Sequence, residues 1–344
     1  MVRKSLGLGG FLTFLIVGTC AIEFAKNGHV NFVSALNIKN VLTMVGLYGI
    51  LSLGQSFVII TGGIDLSIGS LCALIAVSTA VLMDRGNGLS PAIVLPAMLA
   101  LSALIGVGHG LLVAKARIQP FVVTLCGLFF YRGIARLVAQ DTSQGFGSAY
   151  GHLKWFGRGT LLDLVGGAKD ASGMSWWETV LDCSPGPFLV LLVLAAIVAA
   201  YLHASAQGRH LFALGANEEG ARFSGIRTDR LKITAYVLCS LLSGFGGILL
   251  AFKVNSLQAS SFGNFHELYA IAGAVLGGCS LRGGSGNVLA ILFGAAILRV
   301  LYNMVNILGI PSQLVYAVIG GAILIGVCVD EFFTRRAAVR AARG

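Results

Sequence analysis

The chain has 344 residues, 56% hydrophobic and 11% charged, with a mean hydropathy of +0.86. Soluble domains carry about 25% charged residues, and one soluble core cannot hold this much apolar surface, so a soluble globular protein is excluded. The net charge of +10 reads as a membrane-orientation signal with anionic lipid as its partner, not as a nucleic-acid footprint.

The N-terminal stretch MVRKSLGLGGFLTFLIVGTCAIEFA is basic, then apolar. Its apolar part is longer than a signal peptide needs and further spans follow, so it reads as an uncleaved first helix. A span needs roughly 20 apolar residues. Candidates lie near 6–25, 41–61, 64–83, 91–114, 118–138, 187–203, 231–252, 268–280, 287–308 and 312–330. About ten spans place both termini on one face of an all-α helical bundle. With the N-terminus inside, inside segments carry fourteen Lys and Arg and outside segments seven, the bias expected of cytoplasmic termini. The tail (331–344) and the inner loop (204–230) show it best. The whole chain, 1–344, reads as one transmembrane domain.

The second and third spans meet at Thr61-Gly62-Gly63-Ile64-Asp65-Leu66-Ser67-Ile68-Gly69. An acid inside an apolar run is costly and points to function, and a Gly-rich break at membrane depth must pack in protein or line a wet cavity. Asp65 either faces the pathway or, with Ser67, caps the helix that follows. The break has an echo, since Gly62–Gly69 and Gly277-Gly278-Cys279-Ser280-Leu281-Arg282-Gly283-Gly284 both fit GGxxLxxG. Matched interruptions in two halves point to a transport pathway. Gly62, Gly63, Asp65, Ser67, Gly69, Gly277, Gly278, Ser280, Gly283 and Gly284 are therefore the candidate pathway or gating residues. Gly106-xxx-Gly110 and Gly273-xxx-Gly277 have the spacing of close helix packing.

Arg132 and Arg136 share one helix face, reaching headgroups or a polar pathway. The outer loop, 140–186, holds all three Trp (Trp155, Trp176, Trp177), as an interfacial cap or an outside docking surface. The inner loop contains Gly215-Ala216-Asn217-Glu218-Glu219-Gly220-Ala221-Arg222-Phe223-Ser224-Gly225-Ile226, written as a short helix with acids in its first turn and Arg after them. It either docks into another protein or lies on the bilayer. Seven Cys (Cys20, Cys72, Cys126, Cys183, Cys239, Cys279, Cys328) fall singly, so neither a disulfide framework nor a metal site is expected. Gly283-Gly284-Ser285-Gly286 contains GxSG, but a serine nucleophile needs an adjacent base and no His follows His266. No P-loop motif occurs.

TGGIDLSIGS (61–70), ARIQPFVVTLCGLFFYRGIARL (116–137), GANEEGARFSGI (215–226) and GGCSLRGGSGNVLAILFGAAIL (277–298) together resemble the permease subunits of bacterial ATP-driven sugar importers. These are the ribose, xylose, arabinose and galactofuranose group, and the details are most similar to galactofuranose-type permeases. The resemblance covers about 40–330; the outer loop is longer than the family usually shows. It implies a type II importer fold in the cell inner membrane and no enzyme activity in this chain. It implies a second permease, identical or homologous, and a cytoplasmic ATPase that carries the ATP and Mg. A periplasmic or lipid-anchored sugar-binding protein delivers the cargo. Gly215, Asn217, Glu218, Glu219, Ala221, Arg222 and Gly225 then belong to the coupling helix seated in the ATPase. Two other readings remain: an ion-coupled secondary transporter, or an ATP-driven permease for a non-sugar solute such as autoinducer-2 or a nucleoside.

Overall fold

The structure is a computed structural model describing residues 2–84, 88–147, 149–166, 174–254, 256–321 and 324. Its helices are α1 (Val2–Asn27), α2 (Ala35–Ile60), α3 (Ile68–Leu82), α4 (Pro91–Ala114) and α5 (Pro120–Ala139). Then come α6 (Gly151–Arg158), α7 (Leu161–Val165), α8 (Trp176–Asp182) and α9 (Gly186–Ala199), α9 running on through a π turn to Ala204. The rest are α10 (Ala206–Ala216), α11 (Glu218–Phe223), α12 (Thr228–Val254), α13 (His266–Leu276) and α14 (Val288–Ile307). One short antiparallel ribbon, β1 (Ser143–Gln144) with β2 (Leu257–Gln258), joins the outer loop to the end of α12.

Among the described residues, seven helices are long and apolar enough to cross a membrane: α1, α2, α4, α5, α9, α12 and α14. The third and eighth expected spans are shorter, fifteen residues in α3 and eleven in α13. Each abuts non-helical backbone. The tenth expected span is helical over 315–321; most of its remainder lies outside the described residues, as does the 331–344 tail.

Local chemistry sets the boundaries. Ser34 and Ser90 accept hydrogen bonds from the first turns of α2 and α4, and Pro91 and Pro120 sit where helices tolerate proline. Glu23, buried near the end of α1, accepts from the N–H groups of Asn31 (2.9 Å) and Phe32 (3.0 Å) and so closes the turn into α2.

α2 and α12 form the centre. α2 packs against α9, α12, α13 and α14, and α12 against α2, α3, α4 and α6. α3 is wrapped by α5 and α12, and Ile68 through Ala80 are all buried. The outer loop is more ordered than its lack of periodicity suggested. Trp155 is folded in, its indole donating to Thr160 O (2.7 Å), whereas Trp176 and Trp177 point outward.

Both GxxxG spacings prove to be close helix crossings. A Cβ on Gly106 would stand 2.6 Å from Val237 Cα, and one on Gly110 2.6 Å from Ile233 Cα, so α4 lies directly on α12. Gly277 meets α14 in the same way, 2.5 Å from Ile291 Cα. Small residues let backbones approach where the solvent gives no hydrophobic drive.

Overpacking such a contact costs about 1–3 kcal/mol. Gly106→Val is expected to lower the melting temperature of the detergent-purified protein, whereas Gly108→Ala, which meets nothing within 4 Å, is not. Equal melting temperatures for Gly106→Val and wild type would contradict the close crossing.

Candidate translocation and coupling site

α2 ends in a Schellman motif. Gly62, at φ +83°, donates to Ile59 O (2.9 Å) and Gly63 to Val58 O (3.0 Å). The chain then runs back into the protein without regular structure over 63–67, Ser67 already in the right-handed helical region (φ −83°, ψ −9°), before α3 starts at Ile68. Neighbouring helices satisfy this non-helical backbone. The Gln55 amide pairs with both backbone groups of Asp65 (3.3 and 3.1 Å), and Thr124 Oγ1 donates to Ile64 O (3.2 Å).

Asp65 is fully buried. Its Oδ1 accepts from Ser67 N (2.8 Å) and Ser67 Oγ (2.6 Å), a side-chain-to-backbone turn two residues wide. Ser67 occupies the capping position of α3 but makes no capping bond of its own. Asp65 Oδ2 lies 3.9 Å from His109 Nδ1 and 3.8 Å from Cys239 Sγ, and His109 Nε2 contacts Tyr131 Oη at 2.8 Å. The carboxylate thus organises a buried polar knot between α3, α4, α5 and α12 and faces no open pathway in this conformation.

The second break repeats the first with a shift. Gly278, at φ +85°, donates to Val275 O (2.8 Å) and Cys279 to Ala274 O (3.0 Å). In this motif Gly62 corresponds to Gly278, one position off the GGxxLxxG alignment. Asp65 and Ser280 still play matching parts, since Ser280 Oγ accepts from Arg282 N (3.2 Å), again two residues on. Gly283 (φ +88°) and Gly284 (φ +75°) form a further turn before Asn287, whose Oδ1 caps α14 through Ala290 N (3.2 Å).

The two breaks touch at their inner ends. Gly284 N donates to Ile60 O (2.9 Å), and a Cβ on Gly283 would stand 3.0 Å from Gly62 N. The end of α10 closes the same junction, for a Cβ on Gly215 would collide with Ile60 O and Gly284 N. Gly69 sits higher, against Gly263 O and the Glu267 carboxylate, where α3 and α13 begin side by side.

The inner loop is α10 and α11 joined at Asn217, whose extended backbone ends one helix while its Oδ1 accepts from Gly220 N (2.8 Å) and starts the next. Glu218 bonds Lys232 (2.7 Å) and Asp229 bonds Lys115 (2.8 Å), tying the loop to α12 and α4. Ala221 is buried against the body, and Gly225 takes φ +82° to turn the chain toward α12. Glu219 and Arg222 are exposed, and Phe223 is 91% exposed. Phe223 was within reach of the sequence, because no core needs an aromatic in that polar hexapeptide. Neither Arg behaves simply as a headgroup anchor. Arg132 donates to Ala259 O (2.9 Å) and Phe262 O, and Arg136 bonds Asp141 (2.8 Å), which holds that carboxyl below its usual range. No His, Cys, Asp or Glu group among the described residues could hold a metal.

A family model described as branched-chain amino acid transport system / permease component matches residues 37–327. The chain belongs to this permease family. It is a multi-pass protein of the inner membrane. It is 35% identical over 304 residues to the ribose import permease protein RbsC of Escherichia coli K12, covering 88% of this chain and 87% of that one. It is 34% identical to RbsC of Bacillus subtilis 168, covering 96% and 94%. The xylose transport system permease protein XylH of Haemophilus influenzae is 29% identical, covering 95% and 97%. No solved structure matches significantly.

The Asp65 turn yields a discriminating pair of variants. Asn keeps an oxygen for Ser67, whereas Ala leaves a buried N–H unpaired at a cost of about 1–3 kcal/mol. Asp65→Asn is expected to retain most transport and Asp65→Ala to lower the amount of folded protein in the membrane. Complete loss of transport in a well-folded Asp65→Asn variant would instead mark the carboxylate as a proton or cation site.

Proposed function

We propose that this chain is the membrane-spanning permease of an ATP-driven importer whose cargo is a monosaccharide, a pentose first. The reading is carried by the likeness to ribose and xylose permeases along nearly the whole chain. The geometry supports it. A surface helix, α11, follows α10, and α10 closes the junction of two broken spans at the inner face.

In this reading a pair of permeases, identical or homologous, forms the pathway. A cytoplasmic ATPase binds ATP and Mg, and a periplasmic or lipid-anchored binding protein presents the sugar. Phe223 is the anchor that α11 offers to the ATPase. Ala221 faces the permease itself and serves to hold α11 in place, as does Glu218 through Lys232. ATP hydrolysis shifts α10 and α11, and the shift reaches both breaks through Gly215. The Gly-rich turns are the movable parts, with no bond made or broken in this chain.

Proteoliposomes holding the permease with its ATPase and binding protein are expected to accumulate labelled ribose or xylose only when ATP is supplied. Uptake by the permease alone would refute the importer reading and favour an ion-coupled carrier. Removing an interface anchor costs about 2–4 kcal/mol, so Phe223→Ala should reduce ATP-driven uptake by about tenfold or more while the permease stays folded. Unchanged uptake would remove Phe223 from the ATPase contact.

A further inference from the structure

Arg299 is a charged side chain near the membrane centre with no charged partner among the described residues. Arg299 on α14 is 6% exposed, and its Nε and Nη2 have no hydrogen-bond partner among the described residues. Its guanidinium lies 3.6 Å from the ring centroid of Tyr48 and 4.3 Å from that of Tyr269, with Tyr302 at 5.7 Å. Tyr48 Oη contacts His266 Nε2 at 3.0 Å, and His266 Nδ1 is itself buried and unpaired.

Three helices put this cluster at one depth. Tyr48 stands twelve residues above the inner end of α2, Arg299 eleven above the start of α14, and His266 ten above the end of α13. At 1.5 Å per residue each is about 15–18 Å up, half of a hydrocarbon core about 30 Å thick. A cation there is expensive unless compensated. Ring faces compensate the charge but leave the N–H groups on Nε and Nη2 unfilled.

The surroundings suit an oxygen-rich, uncharged ligand. The N-terminal ends of α3 and α13, the positive ends of their dipoles, meet at this level. The Glu267 carboxylate stands between these two ends and offers the same level an acceptor beside the donors of Arg299. Tyr302, 41% exposed, and Tyr316, 60% exposed, carry the aromatic wall from Arg299 to the protein surface. Tyr302 stands fourteen residues above the start of α14, about 21 Å up, so the exposed rings lie above Arg299 toward the outer end of the span.

We propose that Arg299, walled by Tyr48, Tyr269 and Tyr302, is a contact station for the hydroxyl groups of a neutral, polyhydroxylated solute halfway along the pathway. This rests on the importer reading above. Aromatic faces take the C–H side of a sugar ring, and the guanidinium donates charge-assisted hydrogen bonds to its oxygens. Motion of α13 against α14 uncovers the N–H groups that this conformation keeps closed.

The test is uptake of labelled D-ribose, D-xylose and L-arabinose by cells carrying the permease with its partners, normalised to the amount of permease in the membrane. Losing a hydrogen bond to a charged group corresponds to about tenfold or more. Arg299→Met and Tyr302→Leu are expected to lower uptake by that factor, and Tyr302→Phe to retain most of it. Tyr302→Cys should make uptake sensitive to a water-soluble methanethiosulfonate reagent that leaves wild type unaffected. Unchanged uptake in the Met and Leu variants, or insensitivity of an active Tyr302→Cys variant, overturns the station while the importer reading stands. If Arg299→Met does not reach the membrane, the half-exposed Tyr302 variants decide. A wild-type permease that takes up none of the three sugars overturns the sugar reading itself, and the station with it.

Discussion

Non-helical backbone at membrane depth has to find its hydrogen bonds inside the protein, and most of this fold follows from that requirement. At the first break, and in the non-helical stretch before α13, the bonds come from side chains of neighbouring helices. Gln55 and Thr124 serve residues 64 and 65 from α2 and α5. Arg132 serves the carbonyls of Ala259 and Phe262, in the stretch that precedes α13. These are tethers as well as satisfied groups. They hold α2, α5 and the stretch before α13 in fixed register around α3, the helix with no exposed residue between Ile68 and Ala80.

The membrane class, the number and order of spans and the paired Gly-rich breaks were legible in the sequence, because apolar length and Gly spacing are local signals. The length of the breaks was not. The apolar run after Asp65 reads as a span beginning at once, yet residues 63–67 are non-helical and α3 starts only at Ile68. Nothing local distinguishes an apolar turn packed in protein from the first turn of a helix. The echo was found one residue out for the same reason. Matching letters align Gly62 with Gly277, whereas the left-handed positions that end the two helices are Gly62 and Gly278.

Long-range partners were the least legible part of the site. Gln55, His109 and Arg299 look alike in sequence, each a lone polar residue in an apolar helix. Their surroundings separate them: a backbone turn for Gln55, a carboxylate and a Tyr hydroxyl for His109, and tyrosine rings for Arg299. The inner loop was readable as a short helix, but not which way it faces. Ala221 is buried against the body, whereas Phe223 bears the exposed apolar area.

The two breaks are alike in their first turns and unlike in length and burial, and the difference bears on how the molecule works. From the left-handed Gly to the capping residue, the first runs Gly62 to Ser67 and the second Gly278 to Asn287. The first is locked, with Asp65 buried and bonded through both backbone groups and its side chain. The second adds Gly283 and Gly284, both left-handed, beside exposed Leu281 and Arg282. It is this looser turn that bonds Ile60 and abuts Gly215 at the end of α10. A push on α10 therefore meets a stiff partner and a compliant one. The compliant turn connects α13 to α14, the helices that carry His266, Tyr269, Arg299 and Tyr302. In the proposed importer the displacement is thus steered to the pair of helices flanking the aromatic wall, while α2 and α3 stay fixed as the frame against which it moves.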